Sequence, residues 1–153
     1  MAHYRASIDT KRPRAEVFAY LSDFSTTREW DPGVVDAERL NGQTVGEGSE
    51  FRLVARFLGR KNELTYRIVE YDPPVAVTLL GANATVVSRD RITFEITAQG
   101  TRITYDADLA LKGLLRIADP VWGSRSPAWA IEVSRVSGEP STAHSRNAWT
   151  RSR

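Results

Sequence analysis

The sequence predicts an α+β fold, one seven-stranded antiparallel sheet with two short helices after the first strand. Along residues 85–97 one parity reads Val86, Ser88, Asp90, Ile92, Phe94, Ile96, and the other Val87, Arg89, Arg91, Thr93, Glu95, Thr97. Successive side chains of a strand point to opposite faces, so this alternation marks a sheet with one wet and one mostly dry face. The pattern returns at 101–111, where Ile103, Tyr105, Ala107, Leu109 and Leu111 face in and Arg102, Thr104, Asp106 and Asp108 face out. Phe51, Leu53, Ala55 and Phe57, then Leu64, Tyr66 and Ile68, repeat it earlier in the chain. An inward apolar surface of this extent packs on a helix or encloses a pocket.

The elements follow in order. Residues 4–9 read as a first strand. Thr10 and Pro13 open a helix, since proline suits a first helical turn, and Val17, Phe18, Tyr20 and Leu21 form its buried stripe. Residues 23–30 give a second short helix or helical turn, stopped by Asp31-Pro32-Gly33. A weak, edge-like strand covers 34–39, and Asn41 to Gly48 is turn material before a strand at 50–57. Leu58-Gly59-Arg60-Lys61 turns the chain back into 62–71. Asp72-Pro73-Pro74 breaks the ladder before 75–80, and residues 81–84 turn into the two long strands at 85–97 and 101–111.

Composition narrows the function classes. A chain of 153 residues is most simply one domain with a real core. It has no cysteine and two histidines, which excludes disulfides, thiol nucleophiles and cysteine zinc sites and argues against any metal centre. His3 lies at the start and His144 in the polar C-terminal stretch, so neither a catalytic dyad nor a metal pair is expected from them. The net charge of +2 is concentrated at the end: residues 122–153 hold five arginines against Glu132 and Glu139, a net of +3 that leaves −1 for 1–121. The folded part therefore has no basic stripe for phosphates, and nucleic acid is not an expected partner. His3, Arg5, Lys11, Arg12 and Arg14 interrupt any signal-peptide pattern, and no apolar run approaches the ~18 residues of a membrane span. The expected compartment is the cytoplasm.

Several phrases, taken with this order of elements, resemble one superfamily. They are Ile8-Asp9-Thr10 followed by Pro13, the run Glu16 to Phe24, Trp30-Asp31-Pro32-Gly33-Val34, the run Val45 to Phe51, Tyr71-Asp72-Pro73-Pro74, and Leu109-Ala110-Leu111-Lys112-Gly113. Over about residues 8–121 their order and spacing resemble the START-like or SRPBCC superfamily, which includes birch-pollen-allergen-like proteins and the polyketide cyclase/dehydrase group. The resemblance implies a helix-grip fold, in which a seven-stranded sheet holds a long C-terminal helix around an apolar cavity. Here the chain departs from the pattern. Leu114, Leu115, Ile117, Ala118 and Val121 begin at helical spacing, yet from Arg116 onward there is no Leu, Phe or Tyr. Residues 1–121 are thus expected to form the helix-grip domain. Residues 122–153 form an atypical C-terminal segment, with a short helix at about 127–136 and then a polar tail whose composition cannot sustain order.

The chemistry is sparse. Gly46-Glu47-Gly48 precedes a strand, whereas a phosphate loop needs the amides of a helix N-terminus. Arg52, Arg56, Arg67, Arg89 and Arg91 fall on the outward parity and are expected to pair with Glu50, Glu63 and Glu95. What remains is a set of inward polar groups, Ser88, Asp90, Tyr66 and Tyr105, with Trp30 near the mouth. A carboxylate on the dry parity must be hydrogen-bonded, neutralised by a raised pKa, or near water at the rim. Asp90 is either a rim acid bonded to backbone or arginine, or a desolvated acid able to exchange protons with a bound carbonyl beside a tyrosine. Asp90 and Tyr66 are the weak catalytic candidates; Trp30, Phe51, Leu53, Tyr66, Leu79, Ser88, Asp90, Phe94 and Tyr105 are the expected ligand-binding set. No cofactor and no metal are expected. Three functions fit: binding of a hydrophobic small molecule, lipid or polyketide-like; a polyketide cyclase or aromatase-type enzyme, in which holding the chain folded supplies much of the catalysis; or a protein-interaction module using the Trp-bearing tail. If the tail leaves the inner face uncovered, a homodimer is expected to cover it.

Overall fold

A computed structural model of the chain describes residues 2–57 and 59–112. The described elements are β1 (Ala2–Thr10), α1 (Arg14–Ser22), a 3₁₀ turn (Phe24–Thr26), α2 (Thr27–Trp30), β2 (Val34–Arg39), β3 (Glu50–Phe57), β4 (Arg60–Asp72), β5 (Ala76–Ala82), β6 (Val86–Thr97) and β7 (Gly100–Leu111). They form one seven-stranded sheet in the order β1-β7-β6-β5-β4-β3-β2, antiparallel throughout. Strands β2 to β7 run as a meander, and β1 closes against β7. Since β1 and β2 lie at opposite edges, the helical connection between them must cross the sheet, and it does so on the apolar face. The expected closing helix, the helix at about 127–136 and the tail lie outside the described residues.

Local chemistry explains the crossing. Pro13 occupies the N-cap of α1 with extended backbone, so β1 continues through Thr10 and the helix starts at Arg14, later than the sequence suggests. Val17, Phe18, Leu21 and Ser22 form its buried stripe. Tyr20, expected there, is half-buried and donates its hydroxyl to Glu29 at 2.6 Å. Positions 17, 18, 21 and 22 share one helical face, whereas 20 is rotated off it. Asp23 then ends the helix and accepts from the Ser25 amide at 3.1 Å and its hydroxyl at 2.6 Å, the local bonding that favours a turn. The turn delivers Phe24 and Trp30 inward. Phe18 meets Phe94 at 5.2 Å and Tyr71 at 5.3 Å between ring centroids, while Phe24 meets Tyr66 at 5.4 Å, Phe51 at 6.1 Å and Trp30 at 6.2 Å. These tilted and edge-on pairs join the crossing helices to β3, β4 and β6 as one core.

The inner face is not uniformly covered. Ile92, Phe94, Ile103 and Ile8 are buried. Tyr105, Ala107, Leu109 and Leu111 of β7, and Tyr4 and Ala6 of β1, are half-buried although they lie on the dry parity. Ile96, also on that parity, is 70% exposed, because it lies beyond Phe94, where Phe18 of α1 rests. Register shifts between Val34 and Asp36 and between Ile68 and Glu70 place bulges on β2 and β4, which bend and twist the sheet. Strand β5 begins at Ala76 rather than Val75, whose amide closes a turn onto the Asp72 carbonyl at 2.7 Å.

On the outer face Arg52 reaches Asp36 at 3.0 Å, Glu38 at 3.1 Å and Glu63 at 3.0 Å; Arg91 pairs with Glu70, and Arg102 with Asp9 at 2.8 Å. Among the described residues, the Arg52–Glu63 pair matches the partners expected from sequence, while Arg52 and Arg91 also find acids on neighbouring strands that the linear reading did not pair with them. Exposed pairs of this kind are screened by water and contribute little to stability. His3 is a paired residue of β1 rather than a frayed end, and its Nδ1 lies 2.8 Å from Asp108 Oδ1 and 3.8 Å from Asp106 Oδ1. Among the described residues, no helix is long and apolar enough to cross a membrane.

Candidate functional site

The inner face carries one cluster of buried polar side chains on its central strands. Asp90 lies mid-strand in β6, opposite Leu79 of β5 on one side and Ala107 of β7 on the other, and is 3% exposed. Ser88, two residues earlier on the same face, donates to Asp90 Oδ1 at 2.5 Å, and Tyr105 of β7 donates to Oδ2 at 2.7 Å. The Tyr66 hydroxyl, from β4, acts on both Ser88 and Asp90. Tyr66 can reach across β5 because Gly81 sits under its ring: a Cβ there would lie 2.5 Å from Tyr66 Cε1 and Cζ. A glycine inside a strand commonly marks such a close approach.

Electrostatics follow from this geometry. Burial pushes the Asp90 carboxyl above its ordinary value, against the opposing hydrogen bonds of Ser88, Tyr105 and Tyr66, and the nearby Asp31 carboxylate adds to the rise. Both tyrosines are held well above the ordinary phenol range, first by burial and then by the Asp90 charge. They are therefore neutral hydrogen-bond donors, not bases, at any physiological pH. Trp30 backs the cluster, edge-on to Tyr105 at 6.3 Å, with its Nε1 donating to Thr26 Oγ1 at 3.1 Å. The arrangement can anchor one polar group at the end of an apolar surface, or hold a proton for exchange.

A family model described as "Polyketide cyclase / dehydrase and lipid transport" matches residues 1–130. The chain belongs to that family. Two uncharacterized Mycobacterium tuberculosis proteins, MT1597 and Rv1546, are each 29% identical over 85 residues, a match spanning 54% of this chain and 57% of each relative. The chain thus covers little more than half the length of the curated relatives it matches. Among solved structures, the Zhui aromatase/cyclase from Streptomyces sp. R1128 aligns with a TM-score of 0.62 and 17% identity, over 89% of this chain and 87% of that one. A START superfamily protein from Mycobacterium smegmatis gives 0.61 and 11%, over 88% of both chains. Ara h 8.0201 gives 0.54 and 14%, over 89% of both. At these identities the likeness is one of fold, and it agrees with the helix-grip architecture that the phrases in the sequence imply.

Within this member of the polyketide cyclase/dehydrase family, the sequence-predicted residues divide into two groups. Tyr66, Ser88, Asp90 and Tyr105 come together as the polar cluster, with Leu79 directly across from Asp90. Phe51, Leu53 and Phe94 are core residues sealed by the crossing helices. Trp30 is not at a mouth: it is 2% exposed, because α2 turns it inward against Phe24 and Tyr105. Nor is Asp90 at the rim: it is 3% exposed, and among the described residues the side-chain partners given for it are hydroxyls. Gly81, Asp31 and Tyr4 belong to the neighbourhood and were not singled out as site residues. A glycine among β-branched and aliphatic residues is the signal that could have found Gly81.

Two expectations follow. Gly81→Ala places a methyl group inside the Tyr66 ring, so it should cost about 1–3 kcal/mol, read from urea unfolding; a change of a few tenths would show that the ring moves freely. Asp90 gives a pH signature. Its folded pKa lies above the ordinary 3.8, so the folded state holds the proton more tightly. Its contribution to stability therefore falls as pH rises from about 3.8 through the folded value and is flat above it. The stability of wild type minus that of Asp90→Asn should decline with pH across that window in urea titrations. A difference that rises with pH would contradict a raised pKa.

Proposed function

We propose that the protein binds a hydrophobic small molecule, lipid-like or polyketide-like, along the half-buried inner face of β7 and β1, with the Asp90 cluster as its polar anchor. The carrying observation is the coincidence of two features: the inner face passes from buried to half-buried at Tyr105 and Ala107, and the buried carboxyl of Asp90 lies across from that step. An apolar wall with a few convergent polar groups is the usual anatomy of a ligand site. The family description, which names lipid transport, supports the same reading. Titrating the labelled protein with a medium-chain fatty alcohol should move the amide resonances of Leu79, Ser88 and Ala107. Shifts confined to the outward residues Arg52, Arg91 and Arg102, or no shifts, would refute it.

A cyclase-type enzyme is the second reading, favoured by the 2.7 Å contact that gives Asp90 a phenolic proton donor in a buried setting. In that reading Asp90→Asn abolishes turnover of a poly-β-keto substrate while leaving its affinity nearly intact; equal turnover by the variant would remove Asp90 from the chemistry.

A further inference from the structure

We infer, resting on the ligand-binding reading above, that the molecule accommodated here carries a protonated amine as its polar head. The observation behind this is a buried acid for which the described residues supply no cation. Asp90 is nearly fully buried, and among the described residues none of the ion pairs includes it. Its immediate partners are the hydroxyls of Ser88, Tyr105 and Tyr66, and the further charge acting on it is a second carboxylate, Asp31. A buried carboxylate is ordinarily matched by a cation, and here the charged neighbour has the same sign.

The hydrogen-bond inventory points the same way. Ser88 and Tyr105 already direct their protons to Asp90, one to each oxygen. An ionised carboxylate offers about four acceptor sites, so acceptor capacity remains while those two hydroxyl protons are committed. A newcomer that brings donors completes the cluster. One that brings a carboxylate meets Asp90 and Asp31 with like charge. Register supplies the place for the apolar body. Asp90 pairs across to Ala107, and Ala107 to Tyr4, while Ser88 pairs across to Leu109, all half-buried on the β7–β1 side. A chain attached to the ammonium would lie along Ala107, Leu109 and Tyr4.

The test uses three probes of one length, octan-1-amine, octan-1-ol and octanoate, titrated at neutral pH into the full chain and followed by amide shifts of Leu79, Ser88 and Ala107. The amine should bind at least about tenfold more tightly than the alcohol, the margin expected for a charge-assisted hydrogen bond, with octanoate weakest. In Asp90→Asn the advantage of the amine over the alcohol should disappear, whatever the affinity of either. Equal affinities for amine and alcohol in the wild type, or a preference for octanoate, overturn the inference while leaving ligand binding in place. Failure of all three to shift these amides removes the ligand-binding reading itself. The wild-type series decides the matter even if the variant does not fold.

Discussion

Gly100→Ala is expected to destabilise the protein by about 2–6 kcal/mol. Gly100 begins β7 with φ of 154°, and a Cβ there would lie 2.1 Å from the Thr10 carbonyl oxygen, 2.6 Å from Lys11 Cα and 2.7 Å from Lys11 C. All three are backbone atoms, so no side chain can swing aside. Two costs combine: backbone strain in a region nearly reserved for glycine, about 1–3 kcal/mol, and overpacking, typically another 1–3 kcal/mol. The position matters because the chain leaves β1 here. Thr10 pairs with Thr101, and the fully buried Thr101 donates its hydroxyl to the Arg12 carbonyl at 2.8 Å. Pushing Lys11 away from β7 therefore loosens the pivot that sends α1 across the sheet. Urea unfolding should show a lower midpoint at unchanged slope. A loss under about 1 kcal/mol would mean that the β1–α1 junction yields more easily than its geometry implies.

The second large effect is Phe24→Ala, expected to cost about 3–5 kcal/mol, the range for deleting a buried phenylalanine. Phe24 is 1% exposed and, among the described residues, is the one ring that touches Trp30, Phe51 and Tyr66 together. Its loss opens a cavity between the helical crossing and β3–β4, and it also takes away the support behind Tyr66. If the proposed ligand site is correct, the variant should thus lose ligand affinity along with stability, although Phe24 does not belong to the polar cluster. Phe24→Leu keeps much of the volume and should recover most of both. If Phe24→Ala were to unfold at nearly the wild-type midpoint, the crossing would be packed by Phe18 alone.

Period-2 parity alone placed Ile92, Phe94, Ile103, Phe51 and Leu53 in the core, and each of them is buried. Parity reports which face a side chain takes, but burial depends on what lies over that face. Hence Ile96 is exposed and Leu109 half-buried despite perfect alternation. The polar cluster was legible in part for a similar reason. Ser88 and Asp90 share one strand and one parity, so their contact is written in two adjacent turns of the pleat. The approach of Tyr105 and Tyr66 depends on register across three strands, which a linear reading does not contain. Composition alone makes Gly81 turn material with Ala82 to Ala84; instead β5 runs through Ala82, and Asn83 makes the turn by accepting from the amides of Thr85 and Val86 at 2.9 and 2.8 Å. Trp30 was misplaced because a helix of one turn leaves no periodicity from which to read its buried side.

The pairing of β1 with β7 has a consequence for how the chain reaches its native state. Ala2 meets Leu109 and Thr10 meets Thr101, while β2 to β7 each pair with the strand next in sequence. Local pairings close small loops and form early, whereas a contact spanning most of the domain carries the largest closure entropy. On the ribosome the first strand emerges first yet has no partner until the last one is made. Its edge stays open for the whole of that interval, exposed to stray pairing with other nascent chains, and outward Arg5 and Asp9 supply the charges that discourage it.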